Sequence, residues 1–153
     1  MSFSGKTATV VDQTIENNGF WPNLSLAEYQ KAYRLPGEYL SDTLVTHLNI
    51  AMAEVNQDLA KLMASWRDLG IPEVVTADSL LLPERTFKVE LYKRAAYCRA
   101  KATALTDFAT VTRREVAENT GKEAPERAET YLAFSQAAVR ALQGRSRITA
   151  ALV

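Results

Sequence analysis

Apolar residues recur at spacings of three and four along most of the chain, and this pattern predicts helices. The longest such stretch runs from about Gly37 to Leu69, and its apolar positions are Leu40, Leu44, Leu48, Met52, Val55, Leu59, Leu62 and Trp66. A period of this kind indicates an amphipathic helix that buries one face. Because the stripe has no interruption, it predicts one continuous helix of about 50 Å, at a rise of ~1.5 Å per residue.

Short sequence signals predict where the helices begin and end. Ser25 followed by Glu28 has the spacing of a capping box, so a short first helix is expected to begin there and to stop before Pro36. Gly70 follows the last apolar position of the long helix, and Gly144 follows the last one of the fourth helix. Glycine at this position commonly closes a helix.

The third helix is expected from Pro83 to about Asn119 and the fourth from Pro125 to about Leu142. The apolar side of the third helix is formed by Phe87, Leu91, Ala95, Cys98, Ala102, Leu105 and Phe108–Ala109. That of the fourth is formed by Ala128, Tyr131, Leu132, Ser135, Ala138, Val139 and Leu142. The third helix also carries Ala96, Ala100 and Ala104, and its many small side chains let neighbouring helices approach closely. The expected fold class is all-α, an antiparallel bundle of about four helices, with the three leucines 80–82 plugging one end.

The N-terminal residues 1–23 interrupt the helical period. Most of them are polar, and the main apolar features are a strand-like run over 7–11 and the pair Phe20 and Trp21. A segment this polar is not expected to bury itself, so we expect an extended arm that stays mobile or docks on something. The two aromatic residues lie beside the first helix, and we interpret them as anchors within the chain rather than as interface anchors.

The last nine residues change to a period of two. Ile148, Ala150 and Leu152 alternate with Arg147, Thr149 and Ala151. This alternation predicts an extended strand, and a strand after a helical bundle has no sheet to join within its own chain. It would be available for strand addition to a partner. The expected organisation is an arm at 1–23, a helical bundle at 24–144 and a tail at 145–153.

The charges of the chain balance. It carries 18 Lys and Arg against 18 Asp and Glu among 153 residues, so its formal net charge is zero. Proteins that grip nucleic acid by neutralising phosphates normally have a basic excess, so this balance argues against that class. A neutral chain repels its own copies little, which permits self-association. No apolar run approaches the roughly 18–20 residues of a membrane span.

The residue types of catalytic and metal sites are scarce. With one cysteine and one histidine, the chain cannot supply the roughly four ligands of a zinc site, and the unpaired cysteine fits a reducing cytoplasm. Cys98 is interpreted as a core thiol and His47 as a surface or boundary residue. Glu54 and Asp58 stand one turn apart, which fits a solvated face better than a metal site. We therefore expect no enzyme activity, no metal and no cofactor.

Arginines near the helix ends are candidates for contact. Arg113 and Arg114 could touch phosphate or interact with the negative end of the third helix, and the second interpretation is favoured. Helix-end electrostatics also accounts for Arg140. It accounts less well for Arg145 and Arg147, which lie beyond Gly144 and could pair with acidic groups of a partner protein or touch packaged DNA.

Four segments of the sequence resemble one protein family. They are Phe20–Leu24 with Tyr29 and Arg34–Pro36, Ala51–Asn56 with Leu59, Tyr92–Ala102, and Ala138–Ile148. The most specific are Ala-Met-Ala-Glu-Val-Asn and Gly-Arg-Ser-Arg-Ile. On these segments the chain resembles, from about Phe20 to Val153, the gpL-type head completion (head stabilisation) proteins of peduoviruses, temperate phages with contractile tails.

The resemblance implies a structural role in the virion, made in the host bacterial cytoplasm. Such proteins join the head at its portal vertex after DNA packaging, and they are similar in role to connectors that form a ring below the portal. The resemblance implies a ring of twelve subunits. The implied partners are other copies of the chain, the portal protein and a neck or tail-terminator protein, with only weak, non-specific contact to packaged DNA and none to membrane. The residues implied to contact the portal are Gly144, Arg145, Arg147, Ile148 and Leu152.

Two other classes of protein are alternatives to a phage head completion protein. A small helical nucleic-acid-binding module, such as a terminase small subunit or a helix-turn-helix regulator, would need a basic patch and shorter helices. A carboxylate-based enzyme on a helical bundle would need inward-facing Glu-x-x-His pairs. The single histidine, His47, has Leu44 three residues before it, so the enzyme interpretation lacks its motif.

Overall fold

The structure is a computed structural model, and it describes residues 12–77, 87–108 and 126–145. Its elements in chain order are β1 (Thr14–Ile15), β2 (Leu24–Ser25), α1 (Leu26–Ala32), α2 (Ser41–Asp58), α3 (Ala60–Asp68), a 3-10 turn (Val74–Ala77), α4 (Phe87–Asp107) and α5 (Ala128–Leu142). The two strands form one short antiparallel pair. The predicted all-α fold class is confirmed. The strand-like run 7–11, the leucines 80–82 and the tail beyond Arg145 lie outside the described residues.

The predicted helix ends at Ser25, Gly70 and Gly144 are confirmed. The Ser25 hydroxyl accepts a hydrogen bond from the Glu28 backbone N–H (3.2 Å), which satisfies one of the donors that a helix start leaves open. Gly70 has φ +84° at the end of α3. Its N–H and that of Ile71 return to carbonyls of the last helical turn, as in a Schellman motif.

The prediction of one continuous helix from Gly37 to Leu69 is wrong. The helical stretch begins at Ser41. Leu40 belongs to the predicted apolar stripe, but its backbone is extended and its side chain is 73 % exposed. A turn after Pro36 precedes it, in which the Tyr39 N–H donates to the Pro36 carbonyl (3.2 Å). The polypeptide therefore enters the helix one turn later than the apolar spacing predicts.

The stretch is also divided, between α2 and α3, at Leu59. The backbone of Leu59 has φ −100° and ψ 6°, outside the helical range. At this break the Asp58 carbonyl accepts a hydrogen bond from the Gln143 side chain (Nε2 to O, 3.2 Å). Helical hydrogen bonds still join the two parts, from the Leu59 N–H to the Val55 carbonyl (3.0 Å) and from the Met63 N–H to the Leu59 carbonyl (2.9 Å). Because the apolar spacing of four also continues through the break, the sequence pattern does not reveal it.

Helix α4 runs antiparallel to both α2 and α5 and forms the centre of the bundle. Its five predicted small positions are all buried, and they are Ala95, Ala96, Ala100, Ala102 and Ala104. Cys98 is buried beside them, which confirms its interpretation as a core thiol. Two members of the predicted apolar sides are instead largely exposed, Phe87 at the start of α4 (58 %) and Leu132 on α5 (41 %).

The described part of the N-terminal segment, residues 12–23, lies against the helices. Phe20 and Trp21 are 1 % and 2 % exposed, so their interpretation as anchors within the chain is confirmed. Trp21 stacks on Tyr92 of α4 (ring centroids 5.0 Å apart). Asn17 donates its side-chain amide to the Tyr92 hydroxyl (2.8 Å) and accepts from the Asn56 side chain of α2 (2.8 Å). Stacking and hydrogen bonds thus tie this segment to two helices.

The interpretation of His47 as a surface or boundary residue is wrong. Its side chain is 5 % exposed on the inner face of α2. Its Nε2 lies 2.7 Å from Asp107 Oδ2 at the end of α4, and its ring is near Phe108 (centroids 6.1 Å apart). The residue therefore links the two helices, and its partner is 60 positions away in sequence, where helical spacing gives no signal.

Candidate functional site

The C-terminal end of α5 holds the described part of the predicted contact site. Gly144 adopts φ +71°, and its N–H donates to the Ala141 carbonyl (3.1 Å). The Arg145 N–H donates to the Arg140 carbonyl (2.8 Å). These two bonds form a Schellman motif, and the left-handed residue that it needs is most easily glycine. The motif turns the chain out of the helix at the start of the tail.

Gly144 and Arg145 are both exposed at this helix end. Arg140 lies in the last helical turn, where a cation complements the partial negative charge of a helix C-terminus. The other predicted portal contacts, Arg147, Ile148 and Leu152, lie outside the described residues, as do Arg113 and Arg114. The structure therefore describes the position of Gly144 and Arg145, and the role of all five residues stays a prediction.

An open groove of about 670 Å³ between α4 and α5 ends at Arg145. Its apolar floor is formed by Leu91, Ala133, Phe134, Ala137, Ala138 and Ala141, and its polar rim by Arg94, Gln136, Arg140 and Arg145. Phe134 is 40 % exposed, and the Arg94 guanidinium lies over its ring, 4.8 Å from the centroid. The spacing of apolar residues does not predict this groove. The sequence signal that could have indicated it is the aromatic Phe134 between the alanines of α5.

A buried hydrogen-bond relay fixes the position of α5 on α4. Ser135 is fully buried, and its hydroxyl donates to the Ala95 carbonyl (2.7 Å). Arg99 donates from Nε to the same Ser135 hydroxyl (3.1 Å). Because hydrogen bonds of this kind require a narrow geometry, they hold the two walls of the groove in register.

The same arginine connects α4 to the carboxylate pair of α2. Arg99 lies 3.0 Å from Asp58 and 3.7 Å from Glu54, measured from guanidinium nitrogen to carboxylate oxygen. Both carboxylates are about half exposed, in agreement with the predicted solvated face. One guanidinium shared by two carboxylates leaves this end of α2 with a net negative charge.

A buried lysine fastens the other end of α5. Lys101 is 2 % exposed, and its ammonium donates to the Tyr33 carbonyl (2.8 Å) and pairs with Glu126 just before α5 (2.9 Å). A buried charge is tolerated when it is paired and hydrogen-bonded in this way. These two contacts give Lys101 a structural role.

The buried thiol and the buried tyrosine hydroxyls of the interior are held in their neutral forms. Burial raises the pKa of the Cys98 thiol, and it raises the pKa values of the hydroxyls of Tyr29, Tyr33, Tyr92 and Tyr97 well above their ordinary value. A thiol with a raised pKa is a poor nucleophile at neutral pH. Within the described ranges there is no cluster of three or more His, Cys, Asp or Glu side chains that could hold a metal ion.

Comparison with known proteins decides the family. The family model described as phage head completion protein (GPL) matches residues 15–153. The chain belongs to this family. A protein of Haemophilus phage HP1 (strain HP1c1), named a probable head completion/stabilization protein, is 32 % identical over 145 residues, which cover 95 % of each chain. No solved structure matches the sequence.

Membership places the chain among structural proteins of the phage head rather than in a class of enzymes. It is a phage head completion protein and thus a component of the virion, which confirms the resemblance inferred from the sequence motifs. Among the helices that the structure describes, none is long and apolar enough to cross a membrane.

Proposed function

We propose that this head completion protein forms a ring at the portal vertex, between the portal and the tail, and that it stabilises the DNA-filled head there. Its tail, from Gly144 onward, binds the portal by adding a strand to it. The observation that carries this proposal is the end of α5, because there the helix closes with an exposed glycine and arginine, and a segment of alternating apolar residues follows in the sequence.

The helical bundle and the C-terminal tail then have separate functions. The bundle satisfies its own apolar faces, since α2, α4 and α5 share one core. The tail has a period of two, and strand addition would supply the backbone hydrogen bonds that an extended segment needs. Arg145 and Arg147 would add charge contacts to acidic groups of the portal.

The balanced charge of the chain suits the lumen of such a ring. A ring that neutralised many phosphates would hold the genome tightly. The free energy needed to release the DNA would then grow with each phosphate contact. A formal net charge of zero limits that attraction, so DNA can be retained by closure of the channel and still leave during infection.

Truncation tests the portal contact. A chain that ends at Gly144 is expected to keep its helical circular dichroism and its unfolding midpoint, because it retains every residue of the described core, from Ile15 to Leu142. Its binding to isolated portals should be lost. Normal portal binding by the folded, truncated chain would contradict the proposed role of the tail.

Matched substitutions in the tail test strand addition itself. The pair Ile148→Asp and Leu152→Asp changes one side of the predicted strand, and Thr149→Asp with Ala151→Asp adds the same charge to the other. We expect the first pair to weaken portal binding at least about tenfold, or ~1.4 kcal/mol, and the second pair to have a smaller effect. Equal loss in both variants would contradict a sided strand.

DNA retention tests the larger role. Filled heads that lack this protein should release DNA faster than complete heads, measured as DNA accessible to nuclease over time. Heads that are equally tight with and without the protein would contradict a stabilising function at the portal vertex.

A further inference from the structure

Two stretches of the sequence carry opposite charge. Residues 35–60 contain Glu38, Asp42, Glu54 and Asp58 and no Lys or Arg. Residues 130–153 contain three Arg and no Asp or Glu. The first stretch includes the whole of α2 and the second includes most of α5. A chain of zero net charge therefore has an acidic helix, α2, and a basic C-terminal stretch whose arginines stand in the last turn of α5 and just beyond it.

The acidic helix has an apolar position on its outer face. Ile50 is 51 % exposed, and Ala53, one turn further on, is exposed beside Glu54. The opposite face of α2 is in the core through Leu44 and Leu48. Thus α2 presents a narrow apolar strip, Ile50 and Ala53, on its exposed side, next to Glu54, whose carboxylate also pairs with Arg99 of its own chain (3.7 Å).

The groove between α4 and α5 has the complementary character. Ala133, Ala137 and Ala141 follow one another at spacings of four along α5, next to the half-exposed ring of Phe134. Arginines stand at its rim, and none of the described residues that line it is a carboxylate. A row of small side chains lets a second helix approach closely, to an interaxial distance of roughly 8–10 Å.

We propose that these two surfaces bind each other between copies of the chain: α2 of one copy lies in the α4–α5 groove of the next. Ile50 and Ala53 cover Phe134 and the alanine row, and the carboxylates of α2 face Arg94 and Arg145 at the rim. The proposal deepens the ring of the previous section and depends on it for closure.

Charge complementarity selects the second copy as the occupant. The groove requires an amphipathic helix whose flanks are acidic, and α2 is such a helix. Oppositely charged patches also fix the register of a contact and disfavour the pairing of a surface with itself, because like charges then meet. Two grooves, both basic, would repel, and so would two α2 faces.

The contact is heterologous because the two surfaces share no residue. Each copy offers its groove to one neighbour and its α2 to another. A contact of this kind generates a closed ring when the rotation between copies closes, and an open chain of subunits when it does not. An interface between identical surfaces would stop at a dimer.

Cysteine crosslinking on the purified full-length chain tests the proposal. Cys98 is buried, so cysteines introduced at exposed positions react first with a short bifunctional thiol reagent. The test variant carries Ala53→Cys on α2 and Ala141→Cys in the groove, and the matched control carries Ala64→Cys on α3 with the same Ala141→Cys. Each variant is also assembled into phage heads and treated there.

We expect the test variant to give a ladder of covalent oligomers beyond the dimer, both at high protein concentration and in heads. The control pair and either single cysteine should remain monomeric on a denaturing gel. A dimer from Ala53→Cys by itself would show an interface of identical surfaces and overturn the proposal. Absence of a ladder in heads that contain the folded variant would also overturn it.

Charge reversal supplies a second, independent measurement. Arg94→Glu and Glu54→Arg should each weaken self-association and make it less sensitive to salt, and a chain that carries both should recover association above either single variant. Glu54 is chosen because Asp58 remains close to Arg99 (3.0 Å). Unchanged association in both single variants, or no recovery in the double variant, would exclude the pairing of these surfaces.

The outcomes separate this inference from the proposed function. A ladder in solution together with normal DNA retention by heads lacking the protein would support the interface and contradict the portal role. Loss of portal binding on truncation without any ladder in heads would support the portal role and contradict the interface.

Discussion

Residues 14–24 contribute four buried side chains to the core, Ile15, Phe20, Trp21 and Leu24. At the other end of the described chain, Gly144 and Arg145 follow α5, and both are exposed. The N-terminal segment is mostly polar in sequence, but it carries large aromatic rings, and each ring buries enough apolar area to offset the cost of ordering its backbone. A mostly polar composition therefore does not by itself prevent a terminal segment from packing.

The two ends also differ in how their polar groups are satisfied. In the N-terminal segment, Asn17 forms hydrogen bonds with Tyr92 and Asn56, and the Ser25 N–H donates to the Tyr97 hydroxyl (2.9 Å). At the C-terminal end, the backbone bonds of Gly144 and Arg145 return to α5 itself. The N-terminal segment is joined to two other helices, whereas the residues after α5 close their own helix.

The largest expected effect is that of Trp21→Ala. This substitution removes a buried ring that stacks on Tyr92 and should lower the free energy of unfolding by about 3–5 kcal/mol. Urea unfolding followed by circular dichroism measures it. Leu40→Ala is the control, because Leu40 is 73 % exposed and its loss should cost less than about 0.5 kcal/mol. Equal effects would mean that residues 12–23 do not belong to the bundle.

A smaller loss is expected from Asn17→Ala. It leaves the Tyr92 hydroxyl and the Asn56 side chain short of one partner each, at a cost of about 1–3 kcal/mol. A double-mutant cycle with Tyr92→Phe measures the coupling, and the two changes should cost less together than the sum of their separate effects. Strict additivity would show that the hydrogen bonds are not formed in solution.

Alkaline pH should loosen the tyrosine contacts around α1. Burial raises the pKa of Tyr29 in the folded state, while the unfolded state ionises near the ordinary value of about 10. The stabilisation is thus fully present below pH ~10 and is lost as the pH rises above it, since the unfolded state then releases the proton more readily. The unfolding free energy, measured from about pH 8 to 11, should fall at the upper end.

Tyr29→Phe isolates one contribution to that fall. The Tyr29 hydroxyl has no hydrogen-bond partner among the described residues, so phenylalanine keeps the packing and removes the titrating group. The variant should be as stable as the parent near neutral pH and should lose less stability above pH ~10. A parallel decline of both proteins would show that Tyr29 does not contribute to the pH dependence.

The smallest effect on stability is expected at Arg145, the exposed residue of the other end. Arg145→Ala should change the free energy of unfolding by less than about 0.5 kcal/mol but should weaken binding to portals. Arg67→Ala on α3 is the comparison, because it removes an arginine at another helix end. If the two variants bind portals equally well, Arg145 is not a portal contact.

The sequence predicts those features of the fold whose cause is local. Ser25, Gly70 and Gly144 mark helix ends because caps depend on a few neighbouring residues. The alanines of α4 are buried as expected because the 3.6-residue period places them on shared faces. The family motifs likewise led to the family that the comparisons confirm.

The remaining features depend on residues far apart in the chain. His47 is buried and contacts Asp107, and the helical stretch is broken at Leu59, beside the hydrogen bond from Gln143 to the Asp58 carbonyl. The α4–α5 groove arises only when Arg94 and Phe134 are brought together by the packing of two helices. None of these pairings leaves a trace in the spacing of apolar residues, so sequence analysis could not find them.

Electron cryomicroscopy of the phage neck tests the central claim most directly. The account predicts a ring of helical bundles between portal and tail, with the segment after Gly144 of each copy extended against the portal and α2 of each copy in the groove of its neighbour. Density for this protein elsewhere on the head, or a C-terminal segment folded back on its own bundle without contact to the portal, would contradict it.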